Sequence, residues 1–350
     1  MNINRLFLLL GISAVLYSCD STSNDDITPV SSGTYILNNG NWGSNDSNIG
    51  IYSPSDKTFT ADAFKTANGQ ALGDLGQDII RLGEDIYIAV NGSQTVFVTG
   101  ADLKIKRQIN ADKDGTRLSP KYFATSGSKV YVTYYEGYLG EISEDCSVRL
   151  CPVGPNPEGL AIAGGNLYVA NSGGMAYPAY NNTVSVVPIS TFTETKTIEV
   201  NVNPTKVEAS SDGVYVYVSS FGNYADVPAK LQVIRISDAT ITDLDYTSVS
   251  AIAKGKDDIL YILCGGYDEN WNPLPGTVYR HDMKANRPLG TFVTDGTVLP
   301  DAYSISATSE GYVYVGCSDY KNTGDVYVFI PEGKLHDKFD SQGLNPLKAY

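Results

Sequence analysis

A single short strand, repeated seven times, is the feature that most constrains this chain. Its clearest copy is Gly165-Asn-Leu-Tyr-Val-Ala-Asn-Ser-Gly173: a glycine-led turn, a strand centred on Tyr-Val, and a polar exit. The matching tyrosines are Tyr35, Tyr87, Tyr131, Tyr168, Tyr217, Tyr261 and Tyr314, and each is followed by Ile or Val. Six steps lead from Tyr35 to Tyr314, a mean period of 46.5 residues. Blades of β-propellers repeat every ~40–50 residues. Helical repeats are also periodic, but the helical patterning they need is absent.

The residue types make each unit a strand. Val, Ile and Tyr fit a pleated, half-buried surface. Alternation such as Val214-Tyr-Val-Tyr-Val218 sends successive side chains to opposite faces. A blade is packed between two others, so strands apolar on both faces are expected. A lone unit cannot bury its faces, so the units must stack and close. The expected fold is all-β, a seven-bladed β-propeller.

The chain divides into three stretches. In residues 1–18, Arg5 precedes an apolar run from Leu6 to Tyr17, too short to cross a bilayer and matching a signal-peptide core. Residues 19–32 are polar, small and acidic, and read as a flexible tether. Residues 33–350 form the propeller. Length alone would suggest two domains, but large closed all-β folds run as one. Blade one opens on its second strand, Thr34-Tyr-Ile-Leu37, and later blades start near Gln77, Pro120, Pro157, Pro204, Ser248 and Asp301. Beyond the last outer strand, Lys334 to Phe339, the chain reads Asn345-Pro-Leu-Lys-Ala-Tyr350. That matches Asn203-Pro-Thr-Lys-Val207 at the start of blade five. The C-terminal strand is therefore expected to close blade one, removing the edges an open ring would leave.

In a four-stranded meander, the loops between second and third strands share one face of the ring. Here they carry most of the variation and both tryptophans. Loops on a rigid scaffold commonly hold function. The candidate ligand-binding residues are Asn41, Trp42, Tyr135, Tyr138, Tyr177, Tyr180, Phe221, Tyr224, Tyr267, Trp271 and Tyr320. Rings supply rigid contact area and amides supply hydrogen bonds, which suits a broad, mostly neutral ligand. The alternative is that Gly, Asn and Tyr only satisfy turns and cover blade ends. If these loops form one bowl, Trp42 and Trp271 lie two blades apart and a broad ligand would touch both.

Other classes find little support. A net charge of −14 argues against nucleic acid, whose phosphates need a basic surface, and suits an exported protein. His281 and His336 are the only histidines, and neither is expected to line the channel. No nucleophile motif, phosphate-cradling loop or metal-ligand spacing occurs, so no enzyme, cofactor or metal is expected. Asp46, or Asp268 with Glu269, could offer oxygen ligands to calcium, but solvated acidic turns account for them. Cys146 and Cys151 flank a short turn and could pair in an oxidising compartment. Cys264 and Cys317 hold equivalent places in blades six and seven and are expected to lie near each other as buried thiols.

Leu16-Tyr-Ser-Cys19 resembles the lipobox of bacterial lipoproteins, which implies lipidation of Cys19. The acidic stretch after it is similar to the surface-export tethers of Bacteroidota lipoproteins. The Tyr-Val strands, with Asn-Pro before inner strands, resemble the YVTN-type, YncE-like seven-bladed propellers over nearly the whole mature chain. Leu37-Asn-Asn-Gly-Asn-Trp-Gly43 looks like the surface-layer-type lipoproteins of Bacteroidota, although many of those carry Glu where this chain has Asn39. That group includes the BtuG cobalamin-capture proteins. The resemblance implies an outer-membrane, cell-surface lipoprotein that touches the membrane only through its lipid anchor. It would bind a corrinoid such as cobalamin and pass it to a TonB-dependent transporter. A glycan- or protein-binding surface module is the alternative.

Overall fold

The computed structural model describes residues 33–267 and 273–350. Seven four-stranded antiparallel sheets form a ring, so the fold is a seven-bladed β-propeller. In blades two to seven the strands run in chain order from the channel outward. Their inner strands are Gly76–Leu82, Pro120–Ser126, Pro157–Ala163, Pro204–Ala209, Val249–Lys254 and Ala302–Ala307. Blade one takes its second, third and outer strands from Thr34–Asn38, Asn48–Ser53 and Thr58–Thr60. Its inner strand is Pro346–Ala349, paired antiparallel with Thr34–Asn38, so the C-terminus closes the ring as expected. The expected signal peptide and tether, with Cys19, lie outside the described residues, as do Asp268, Glu269 and Trp271.

Seven apolar cores fill the seven interfaces between blades. Each repeated tyrosine enters the core between its own blade and the next: Tyr35 between blades one and two, and Tyr314 between seven and one. Two hydroxyls show why tyrosine suits the position. Tyr35 donates to Ala101 O at 2.6 Å and Tyr217 to Met283 O at 2.9 Å, each carbonyl lying in the following blade. The ring fills the apolar interface and the hydroxyl finds a partner beyond it.

The same alternation corrects one expectation. Cys264 and Cys317 follow their tyrosines by three residues, an odd offset that turns them to the opposite face. Cys264 therefore sits in the core between blades five and six, and Cys317 in that between six and seven, with the sheet of blade six separating them. Both thiols are free and buried, as is Cys151, while Cys146 is free and half-buried.

The Asn-Pro signature also has a structural cause. In every blade the residue before the inner strand offers its carbonyl to the backbone N–H at the end of the second strand. Examples are Asn39 N to Asn345 O and Phe221 N to Asn203 O, both 2.9 Å. Reaching that carbonyl turns the residue left-handed at Asn156, Asn203 and Asn345, with φ of 48°, 61° and 58°. Asparagine tolerates this region better than most residues. Proline can follow because the first residue of an inner strand need not donate to the ladder.

Candidate functional site

The inner strands surround a central cavity of about 1380 Å³ that all seven blades help to line. Its mouth opens among the loops between second and third strands, chiefly those of blades five to seven. Phe221, Tyr224 and Tyr320 line it there, joined by Tyr246 from the connection between blades five and six.

An aromatic chain leads inward across this face. Tyr177, 70% exposed, packs edge-on against Tyr180 with ring centres 5.9 Å apart. Tyr180 meets Tyr224 at 6.0 Å, and Tyr224 meets Phe221 at 6.4 Å. Tyr224 is itself 60% exposed. Across the mouth Tyr320 packs edge-on against Tyr303, which stands on the inner strand of blade seven. Large exposed rings joined in one path give a flat ligand a stacking surface at low entropic cost.

The walls below are charged. Lys121 pairs with Glu158 at 3.1 Å and also lies 4.9 Å from the ring centre of Tyr135. Lys348 pairs with Asp78, whose carboxylate also accepts the Phe123 N–H at 2.9 Å. Lys254 donates to Ala209 O at 2.8 Å and reaches Asp258 at 3.0 Å. Lys206 differs from these three. It stands on the inner strand of blade five, yet its ammonium lies 3.5 Å from the ring centre of Tyr122 in blade three. Its strand runs close against blade four at Gly159, where a Cβ would lie 2.9 Å from Thr205 O and 3.0 Å from the Cα of Lys206.

Lys206 is half-buried, open to the channel on one side, and the dense ring of inner strands around it governs its ammonium. Burial pulls the pKa down to about 8, against the opposing pull of Asp78 and with the help of Lys348. Burial pushes the Glu208 carboxyl up, although Lys348 and Lys206 oppose it. Residues 206 and 208 leave the same face of one strand, the face that lines the cavity. Burial likewise raises the phenols of Tyr122 and Tyr303 and takes that of Tyr135 up to about 12, so all three stay neutral at physiological pH.

The structure separates the loop candidates read from sequence. Phe221, Tyr224 and Tyr320 line the cavity, Tyr177 and Tyr180 extend its aromatic path, and Tyr135 flanks the channel lysine Lys121. Asn41 does scaffold work: its backbone N–H donates to the Asp46 carboxylate at 2.9 Å and its side-chain Oδ1 accepts from the Asn345 amide at 3.2 Å. Tyr138 packs against the core between blades two and three, away from the cavity. Trp42 is 84% exposed on the turn of blade one and does not touch the cavity. The mouth of the cavity is centred on blades five to seven. Tyr267 ends the second strand of blade six. Sequence reasoning missed Lys121, Tyr122, Glu158, Lys206, Glu208, Tyr303 and Lys348. For Lys121, Tyr122, Glu158, Lys206 and Lys348 the available signal was a charged or aromatic residue one or two places after the inner-strand proline, as in Pro120-Lys, Pro157-Glu and Asn345-Pro-Leu-Lys; Glu208 and Tyr303 carry no such mark.

Both histidines are structural. The Tyr246 hydroxyl and Asn286 Oδ1 hold His281 at 3.1 and 3.0 Å, and His336 Nε2 donates to Pro54 O at 2.8 Å. Among the described residues, no group of three or more His, Cys, Asp or Glu side chains is arranged to hold a metal ion.

Gly159→Ala is expected to cost about 2 kcal/mol, because the methyl meets backbone that cannot yield as a side chain would. Urea denaturation of the variant against the parent measures it, and equal midpoints would show that the two strands can separate freely.

No family model and no curated protein matches the chain. Solved propellers match its fold. A candidate 6-phosphogluconolactonase of Bacteroides uniformis ATCC 8492 aligns with TM-score 0.61 and 13% identity over 90% of this chain and 97% of its own. The computationally designed Ika8 protein aligns with TM-score 0.58 and 14% identity, covering 89% of both chains. Hydrazine synthase of Kuenenia stuttgartiensis aligns with TM-score 0.55 and 18% identity over 70% of this chain and 73% of that one. At such identities these likenesses show a shared fold and nothing about activity.

Proposed function

We propose that this chain is a ligand-capture protein that holds a mid-sized, flat-faced molecule in the central cavity and performs no turnover on it. The observation that carries this reading is the cavity of about 1380 Å³ with an aromatic mouth. Pockets for drug-sized ligands occupy roughly 300–1,000 Å³, so this one suits something larger than a single sugar ring. Rings at the mouth and paired charges on the walls would hold a ligand with both a broad apolar face and many hydrogen-bonding groups. A corrinoid has that character and is the class that the resemblance of the blade-one loop implies. In this reading Cys19 carries the lipid, the outer membrane displays the propeller at the cell surface, and a TonB-dependent transporter receives the ligand. Met175 and Trp42, exposed on the same face outside the cavity, remain for a protein partner.

Calorimetric titration with cobalamin tests it. Truncating a buried anchoring aromatic commonly costs ~2 kcal/mol or more. Tyr224→Ala is therefore expected to weaken binding at least about tenfold, ~1.4 kcal/mol, whereas Trp42→Ala leaves it unchanged. Absence of heat at high micromolar cobalamin rejects the corrinoid, and a glycan or protein ligand then becomes the better reading. A loss with Trp42→Ala alone would move the site off the cavity.

A further inference from the structure

We propose that Lys206 is a carbonyl-capturing lysine, which forms an imine with an aldehyde that enters the central cavity. This goes beyond the corrinoid reading and does not depend on it.

Three features of the wall converge on this residue. First, Lys206 lines a cavity wide enough for a second molecule. Second, it makes no ion pair among the described residues, whereas Lys121, Lys254 and Lys348 each hold a carboxylate. Its ammonium rests on the face of Tyr122, a contact that an uncharged amine can leave at little cost. Third, Glu208 shares its strand face, and burial favours the protonated carboxyl there. The charged neighbours are Asp78, Glu158 and Glu208, which favour the ammonium, and Lys348, which opposes it. Burial outweighs the carboxylates and brings the amine to about 8, so a useful fraction is nucleophilic near neutrality.

The chemistry closes without an oxidant or reductant. The amine lone pair attacks the aldehyde carbon, a C–N bond forms, and the carbonyl electron pair moves to oxygen, which takes up a proton. The resulting carbinolamine expels its hydroxyl as water as the nitrogen lone pair makes C=N. Of the two amine protons, one passes through solvent to the carbinolamine oxygen; Glu208 donates the proton that the departing water needs, and its carboxylate takes back the second nitrogen proton once C=N has formed.

Reductive trapping tests the proposal on the full chain. Pyridoxal serves as a flat aromatic aldehyde, sodium cyanoborohydride fixes the imine as a secondary amine, and peptide mass mapping reads the site. The internal standard is Lys104, whose side chain is 71% exposed. Burial brings the Lys206 amine to about 8, below the ordinary lysine value of ~10.4, so label at Lys206 should form about tenfold faster or more than at the standard. Glu208→Gln should slow that label about tenfold or more if the carboxyl acts as the acid. Label at Lys206 no faster than at Lys104 overturns the proposal. An unchanged rate in Glu208→Gln overturns the part given to Glu208. Cobalamin takes no part in this measurement, so its failure and failure of the corrinoid reading are distinct results.

Discussion

A chain lacking residues 345–350 is expected to lose its cooperative thermal transition. The deletion removes the inner strand of blade one and bares the edge of Thr34–Asn38, whose unpaired backbone groups invite association. Asn345 would no longer donate to Gly40 O at 2.8 Å or accept the Ser318 hydroxyl at 2.6 Å. Ser304 would lose Pro346 O, its acceptor at 2.6 Å. Loss of Lys348 leaves Asp78, whose side chain is 3% exposed, as a buried carboxylate without its cation. Breaking a buried pair from one side costs ~3–5 kcal/mol. With the lost strand added, the total reaches the order of the ~5–15 kcal/mol that holds a whole domain. Circular dichroism melts paired with gel filtration measure the outcome. A sharp transition at the parental temperature in a monomeric truncated chain would show that the ring does not need this strand.

Asp258→Ala is expected to be the most damaging single substitution away from the ring closure. Asp258 stands at the turn between inner and second strands of blade six, 5% exposed, and binds blades five and six together. It accepts the Ser211 N–H at 2.7 Å and the Ser211 hydroxyl at 2.5 Å, and it pairs with Lys254 at 3.0 Å and Lys284 at 2.9 Å. Burial opposes the carboxylate, but the hydrogen bonds from Ser211, Lys284 and Lys254 win and hold its pKa well below the usual range. Removing it strands these donors at a cost of about 3 kcal/mol. The sign of the pH dependence follows from that shift. A depressed folded pKa contributes stability that is fully present above the unfolded value near 3.9 and is lost as pH falls below it. Urea denaturation of parent and Asp258→Asn should therefore show a wide gap at pH 7 that narrows as the pH is lowered below about 4. A gap that stays constant with pH would assign the effect to the donor that replaces an acceptor in place of charge.

The legible part of this protein and the illegible part divide on a physical line. The spacing of seven tyrosines determined a ring of seven blades, because every copy of a local pattern meets the same neighbours. Asn345-Pro-Leu-Lys determined its own partner, because a backbone carbonyl must be presented to the second strand wherever an inner strand begins. The loop aromatics were legible only as a set. Tyr224 and Tyr138 have the same side chain in similar loops, but one crosses the mouth and the other starts a strand packed on a core. The polar wall left only scattered traces. Each inner strand contributes one or two groups, and Lys206 of blade five meets Tyr122 of blade three across the channel while its strand lies close against Gly159 of blade four. Spacing along the chain records what a strand does to its own neighbours. Closure of the ring alone decides which side chains from different blades meet in the channel, and burial among them sets the charge each carries.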